Sequence, residues 1–125
     1  MARTPALIFG VLLVLVGLLG FTSNPLIGIN ALFAADAFLN VIHIVLGGFL
    51  LSIVFRSGRN AGLWLKVVGI VVLLSGLAGL FSVPASGGFL LGIAYTNGAT
   101  NWFHFITGLV AFFVFGHRDS RSFGG

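Results

Sequence analysis

Two histidines are the ionisable side chains that fall well inside apolar segments of this 125-residue chain, and each follows an asparagine by three positions. An acid or amide side chain stands four positions before each asparagine, so each set falls on one face of a helix. The two polar stripes are Asp36, Asn40 and His43, and Asn97, Asn101 and His104. Because a polar group that faces lipid is costly, both stripes are predicted to face the protein interior or a wet cavity.

Three kinds of chemistry suit these stripes. In the first, asparagine and histidine side chains hydrogen-bond across the second and fourth helices, at about 0.6 kcal/mol or somewhat more per bond. In the second, His43 and His104 hold one haem or another tetrapyrrole from its two sides, since neutral imidazole is a good axial ligand for haem iron. In the third, Asp36 and the two histidines form a path for protons or a small solute.

The haem alternative has a parallel in a known arrangement. One histidine on the second helix and one on the fourth resembles the haem-binding bundle of cytochrome b. With one histidine per helix rather than two, this chain would hold at most one haem, through His43 and His104.

Other site chemistry is excluded or disfavoured by the residue inventory. The chain has no Cys and no Glu, which excludes disulfides, thiolate metal sites and paired glutamates. Two histidines are too few ligands for zinc, and no set of nucleophile, base and oxyanion donors is visible. The six Lys and Arg residues are spread along an apolar chain, so no nucleic-acid-binding stripe forms. A non-enzymatic protein without a metal site is therefore expected.

The composition indicates a membrane protein. Hydrophobic residues make up 58% of the chain, charged residues 6%, and the mean hydropathy is +1.19. A soluble domain carries about 25% charged residues. Four apolar segments approach the length of about 20 residues that a bilayer requires, and they cover residues 6–21, 37–55, 63–81 and 101–116. The predicted fold class is an all-α membrane protein with four transmembrane helices, forming a single domain over residues 1–125.

The basic residues predict the orientation in the membrane. They precede the first segment, lie between the second and third segments or at the start of the third, and follow the fourth. Residues 22–36 and 82–100 contain no Lys or Arg. Basic loops face the cytoplasm, so both termini are predicted to be cytoplasmic. The first segment lacks an A-x-A-like cleavage site and is expected to remain in the protein. The basic residues are Arg3, Arg56, Arg59, Lys66, Arg118 and Arg121.

The two halves of the chain match each other. The matches 59 positions apart pair Gly10, Gly17, Gly20, Pro25 and Gly28 with Gly69, Gly76, Gly79, Pro84 and Gly87. Those 61 positions apart pair Asp36, Asn40, His43 and Gly47 with Asn97, Asn101, His104 and Gly108. We interpret this pattern as a duplicated helical hairpin, with repeat one at about residues 6–57 and repeat two at about 65–118. Two helices per unit give both units the same orientation, related by a pseudo-twofold axis along the membrane normal.

Small residues line one face of the first and third helices. Gly10 and Gly17 are seven positions apart, as are Gly69 and Gly76. Such faces let helix backbones approach closely, which matters in lipid because no hydrophobic effect drives helix association there. Helices one and three are predicted to pack tightly through these faces, and space for a flat cofactor is the alternative. Gly47 and Gly108 are the corresponding small residues of the second and fourth helices.

The motifs also resemble a known family. Leu19-Gly20-Phe21, Asn40-Val41-Ile42-His43 and Asn101-Trp102-Phe103-His104 are similar to motifs of an uncharacterised family of bacterial four-helix membrane proteins, a domain of unknown function. The resemblance spans residues 6–116 and implies a bacterial plasma-membrane location, but it supplies no activity. The expected function is structural or accessory, through helix packing with itself, as a homo-oligomer, or with a larger membrane complex.

Overall fold

The structure is a computed structural model that describes residues 3–57 and 59–115. It is mostly helical, with α1 (Arg3–Leu19), α2 (Ala37–Arg56), α3 (Ala61–Ser82) and α4 (Gly98–Leu109), which continues as a π-helix over Val110–Phe115. Two short strands, β1 (Gly88–Leu90) and β2 (Ala94–Thr96), stand between α3 and α4. The prediction of four helices is confirmed. Arg118, Arg121 and the predicted end of repeat two at residue 118 lie outside the described residues.

Capping side chains set where α2 and α4 begin. The backbone N–H of Leu39 donates to Oδ1 of Asp36 at 3.0 Å, and the N–H of Thr100 donates to Oδ1 of Asn97 at 3.0 Å. These caps satisfy N–H groups that have no partner inside the helix. The fourth helix consequently begins at Gly98 rather than at the predicted residue 101.

Each helix pair forms an antiparallel hairpin through its glycines. A methyl group on Gly10 would meet the backbone of Gly47, and one on Gly17 would lie 2.6 Å from the carbonyl oxygen of Asn40. The second hairpin repeats both contacts: the position on Gly69 meets Gly108, and that on Gly76 lies 2.5 Å from the carbonyl oxygen of Asn101. The glycine faces of α1 and α3 therefore pack against the other helix of their own hairpin, which corrects the predicted packing through helices one and three. Spacing reveals a small-residue face but not the helix that it meets.

Two apolar clusters hold the hairpins together. The larger one joins residues of all the helices near the α2–α3 connection: Ala6, Leu13, Leu50, Val54, Ala61, Leu65, Val68, Val72 and Ala111. The smaller one lies at the other end of the molecule: Ile27, Ala35, Leu39 and Ala94. On α2, His43 stands between Leu39 of the smaller cluster and Leu50 of the larger one. It therefore lies between the two clusters along the helix.

Two connections lie at the end of the molecule opposite the α2–α3 connection. The first connection joins α1 to α2 and the second joins α3 to α4, and both have internal hydrogen bonds despite their apolar composition. In the first, the side chain of Asn24 donates to the carbonyl oxygens of Leu19 and Ile27 at 2.8 and 3.0 Å. In the second, β1 and β2 pair antiparallel around a turn in which Leu91 and Gly92 have φ of 54° and 75°. Positive φ at both central residues is the geometry of a type I′ hairpin turn. This strand pair was not predicted.

Two of the helices have the length and composition to cross a membrane. They are α2, with 20 residues, and α3, with 22. Only 33% of the most apolar stretch of α2 and 39% of that of α3 is buried inside the protein. Helix α1 is apolar but shorter, at 17 residues.

Adjacent glycines on α2 provide a matched test of the close helix approach. A methyl group on Gly47 would lie 2.6 Å from the carbonyl oxygen of Gly10 and 2.8 Å from the backbone nitrogen of Val14, whereas one on Gly48 meets nothing within 4 Å. We expect Gly47→Ala to destabilise the protein by about 1–3 kcal/mol, because backbone must move. Gly48→Ala should be neutral or stabilising by up to about 1 kcal/mol, through helix propensity. Thermal unfolding of the protein in detergent, followed by circular dichroism, measures both, and equal effects would contradict this packing.

Candidate functional site

The two polar stripes meet at their histidines. Nε2 of His43 and Nε2 of His104 are 3.1 Å apart, and the ring centroids are 5.2 Å apart with the planes inclined by 72°. Both side chains are buried, with 5% and 8% of their surface exposed. Within residues 3–57 and 59–115, this contact is the one hydrogen bond that either ring makes. It joins α2 of the first hairpin to α4 of the second.

The hydrogen bond limits where the ring protons lie, because the donor and acceptor roles depend on the tautomer of each ring. A neutral imidazole carries one N–H, and here one Nε2 must donate while the other accepts. The accepting ring therefore carries its own proton on Nδ1. Nδ1 of His43 is enclosed and without a partner, whereas Nδ1 of His104 has no hydrogen bond but is not enclosed. Because an enclosed N–H without an acceptor is costly, His104 is the better acceptor, with its Nδ1–H at the accessible position.

Each asparagine of the stripes lies against a glycine at or near the end of the preceding helix. The Cα of Gly20 directs a hydrogen at the amide oxygen of Asn40, and the Cα of Gly79 does the same toward Asn101. No side chain larger than hydrogen fits at either glycine. Both amides are buried, and Oδ1 of each lacks an N–H or O–H donor among the residues that the structure describes. A Cα–H···O contact of this kind contributes about 0.5–1 kcal/mol.

The first residue of each stripe is a helix cap and not a partner of the histidines. Asp36 stands seven positions before His43, roughly 10 Å along the helix at 1.5 Å per residue. Its carboxylate accepts from the backbone of α2. The predicted proton or solute path used Asp36 as a relay to the histidines. The Asp36 carboxylate makes no contact with either histidine, so the path is interrupted between Asp36 and His43.

Asn97 ties the first connection to the second hairpin. Its Nδ2 donates to the carbonyl oxygen of Leu32 at 3.0 Å, and its Oδ1 accepts from the N–H of Ala34 at 3.3 Å. The hydroxyl of Thr100 then donates to the carbonyl oxygen of Ala34 at 2.8 Å. Thr100 was not among the predicted site residues. Its position three residues after the cap is visible in the sequence, but its partner 66 positions away is not.

A groove of about 620 Å³ runs beside the histidine pair. Residues of α1 form one wall and residues of α4 the other, while His43 and His104 contribute to its surface. The first connection closes one end, where Phe33 packs edge-on against Phe103 at a centroid distance of 5.3 Å. The groove has the size of a ligand site for a small molecule, which spans about 300–1,000 Å³.

The two histidine rings lie closer together than two ligands of one haem iron. Metal–imidazole bonds are about 2 Å long, so iron between two histidines separates their nitrogens by about 4 Å. The observed separation of 3.1 Å is that of a direct hydrogen bond. Iron between the rings would require the two nitrogens to lie about 1 Å further apart. Among the described residues, no group of three or more His, Cys, Asp or Glu side chains comes together.

These features define a mostly helical protein whose hairpins are joined by one buried histidine pair. The profile of a protein family described as a domain of unknown function, DUF4383, matches residues 3–116. The chain belongs to this family, which confirms the predicted relation to an uncharacterised family. No curated protein and no solved structure matches the chain.

The histidine pair predicts strong coupling between two substitutions. His104→Leu alone leaves the ring of His43 buried without a partner, which we expect to cost about 1–3 kcal/mol, and His43→Leu should behave similarly. The double variant removes both polar groups and should cost clearly less than the sum of the single changes. Unfolding of the four proteins in mixed detergent micelles completes the cycle. Additive effects would mean that the two rings do not depend on each other.

Proposed function

We propose that this chain is a small integral membrane protein in which all four helices cross the bilayer and which has a structural or accessory, non-enzymatic role. The observation that carries the proposal is the apolar exterior of every helix. Examples of large apolar side chains that are more than a third exposed are Ile8, Leu12, Leu15, Val41, Val45, Phe55, Leu63, Val71, Phe81, Ile106 and Phe113. In water this surface would be an aggregation liability, whereas in a bilayer it faces its preferred solvent.

The distribution of burial supports the membrane location. A core helix of a soluble protein is mostly buried, but about two thirds of α2 and of α3 is not buried within this chain. The buried polar side chains are instead drawn inward, at Asn40, His43, Asn101 and His104. Apolar groups outside and polar groups inside is the pattern expected where lipid surrounds the helices.

The charges support the predicted orientation. Because the hairpins are antiparallel, Arg3 at the start of α1 and Arg56 at the end of α2 stand at the same end of the molecule, with Arg59 in the next connection. The positive-inside rule assigns this end to the cytoplasm, with both termini on that side. We propose a multi-pass protein of a bacterial plasma membrane with this orientation.

The role that fits this surface is association through helix faces. The paired glycine and asparagine contacts of the hairpins support the duplication, and the histidines join the two repeats. Phe55 and Phe81 are 71% and 87% exposed, which leaves large aromatic surfaces for lipid, for a second copy or for a membrane complex.

Cysteine labelling tests the four-helix topology without interference, because the chain has no cysteine. We expect a membrane-impermeant maleimide to label Ser23→Cys and Ser86→Cys in intact spheroplasts. Ser57→Cys should react only after permeabilisation, because it stands in the connection on the basic side. All three serines are exposed, so differences in reactivity report the side of the membrane. Labelling of Ser23→Cys and Ser86→Cys from opposite sides would contradict the topology.

A visible absorption spectrum separates the structural role from that of a haem carrier. We expect protein purified from haem-sufficient cells in mild detergent to show no Soret band, oxidised or dithionite-reduced, because the histidines bond to each other. His43→Gln and His104→Gln should then be tolerated with modest destabilisation. A Soret band with sharp α and β bands on reduction, absent from the His43→Ala, His104→Ala double variant, would instead identify a bis-histidine haem protein.

A further inference from the structure

We propose that the groove between α1 and α4 binds a lipophilic molecule that bears a carbonyl oxygen, of the prenylquinone type. The carbonyl accepts a hydrogen bond from Nδ1 of His104, and the apolar chain of the molecule lies along α1 and α4. The proposal concerns binding, and it goes beyond the structural role proposed above.

The two hairpins face each other along two seams, one between α2 and α3 and the other between α1 and α4. The groove exists because the side chains at these two seams differ. On the α2–α3 side, Phe49 and Trp64 pack edge-on with their centroids 5.1 Å apart. The sequence offsets of 61 and 59 positions make Val110 the counterpart of Phe49 and Pro5 the counterpart of Trp64. Both Val110 and Pro5 line the groove. Where one seam is filled by two aromatic side chains, the other has two small ones.

The dimensions of the groove favour a chain-like molecule over a transmembrane helix. Its α1 wall extends from Thr4 to Val16, roughly 18 Å at 1.5 Å per residue. A spanning helix has a diameter of about 10–12 Å and a length of about 30 Å, and it occupies several times the available 620 Å³. The first connection also closes one end of the groove, which would block a helix that continues to the membrane surface.

The histidine pair defines the head group of the molecule. The walls of the groove are mainly aliphatic and aromatic. The hydroxyls nearest the histidine pair, on Thr100 and Thr107, already donate to backbone carbonyls at 2.8 and 2.7 Å, and the hydroxyl of Thr4 stands at the opposite end of the groove. His104 lines the groove and its Nδ1 is neither enclosed nor hydrogen-bonded, so we assign this nitrogen as the donor to the ligand. A donor in an apolar site selects a ligand with an acceptor, because a purely hydrocarbon ligand would leave the N–H unpaired.

The position of this donor determines the direction of the molecule. Thr100 and His104 stand in the first two turns of α4, next to the connection that closes the groove, whereas Val110 stands beyond the end of α4. The head group therefore lies beneath the first connection, and the chain runs toward Pro5 and Val110. In a bilayer the side opening between α1 and α4 would admit such a molecule from the lipid.

Binding of decylubiquinone to the purified full-length protein tests the proposal. Isothermal titration in detergent, corrected for partition of the probe into empty micelles, gives the Kd. We expect decylubiquinone to bind at least ten-fold more tightly than decylbenzene, which has the same chain length without carbonyl oxygens. Equal affinities would overturn the role of His104, since the groove would then take any apolar chain.

Two matched variants locate the binding. Val110→Phe introduces the aromatic ring present at the other seam and should weaken decylubiquinone binding at least ten-fold. Val71→Phe adds the same ring to a valine that is 48% exposed on α3 and does not line the groove, and it should leave the Kd within two-fold. Unchanged helicity by circular dichroism shows that each variant is folded. Absence of binding to the unmodified protein, or equal losses in both variants, would overturn the proposal.

Discussion

The hairpins depend on how closely their backbones approach. At Gly17 and Gly76 a single methyl group would collide with the backbone of the facing helix, so these pairs are held at a distance that only glycine allows. In lipid, contact of this kind replaces the hydrophobic effect as the source of helix association. The same approach brings the asparagines against Gly20 and Gly79, where a Cα–H faces an amide oxygen. The buried amides are thus a consequence of the glycine packing rather than a separate polar site.

The histidine pair acts between the hairpins rather than within them. Each ring projects from a helix already fixed by its glycine contacts, which leaves the rings at equivalent levels on α2 and α4. Their hydrogen bond of 3.1 Å therefore needs little further ordering of either helix. Apolar clusters lie on both sides of His43 along α2, and the loss of either ring leaves the other without its hydrogen-bond partner.

The sequence predicts the helices and their polar faces far better than it predicts which residues contact each other in the folded chain. Apolar runs place the four helices to within a few residues, because the length of such a run and its capping side chains are local. The polar stripes likewise follow from helical spacing. Tertiary contacts have no such local signal. The sequence did not show which helix packs against Gly10, or that Asn97 hydrogen-bonds to the backbone of Leu32 and Ala34. One signal of the groove was present: the repeat offset aligns Trp64 with Pro5 and Phe49 with Val110.

The two hairpins differ at the histidine pair itself, because one ring donates the hydrogen bond and the other accepts it. If a twofold axis relates the repeats, it passes between the two Nε2 atoms, yet a single proton must belong to one of them. One ring then becomes a donor through Nε2 and the other presents Nδ1–H elsewhere. The two sides of the histidine pair therefore differ in hydrogen-bonding capacity. Closing one seam with Phe49 and Trp64, while leaving small residues beside the accessible Nδ1 of His104, uses this difference.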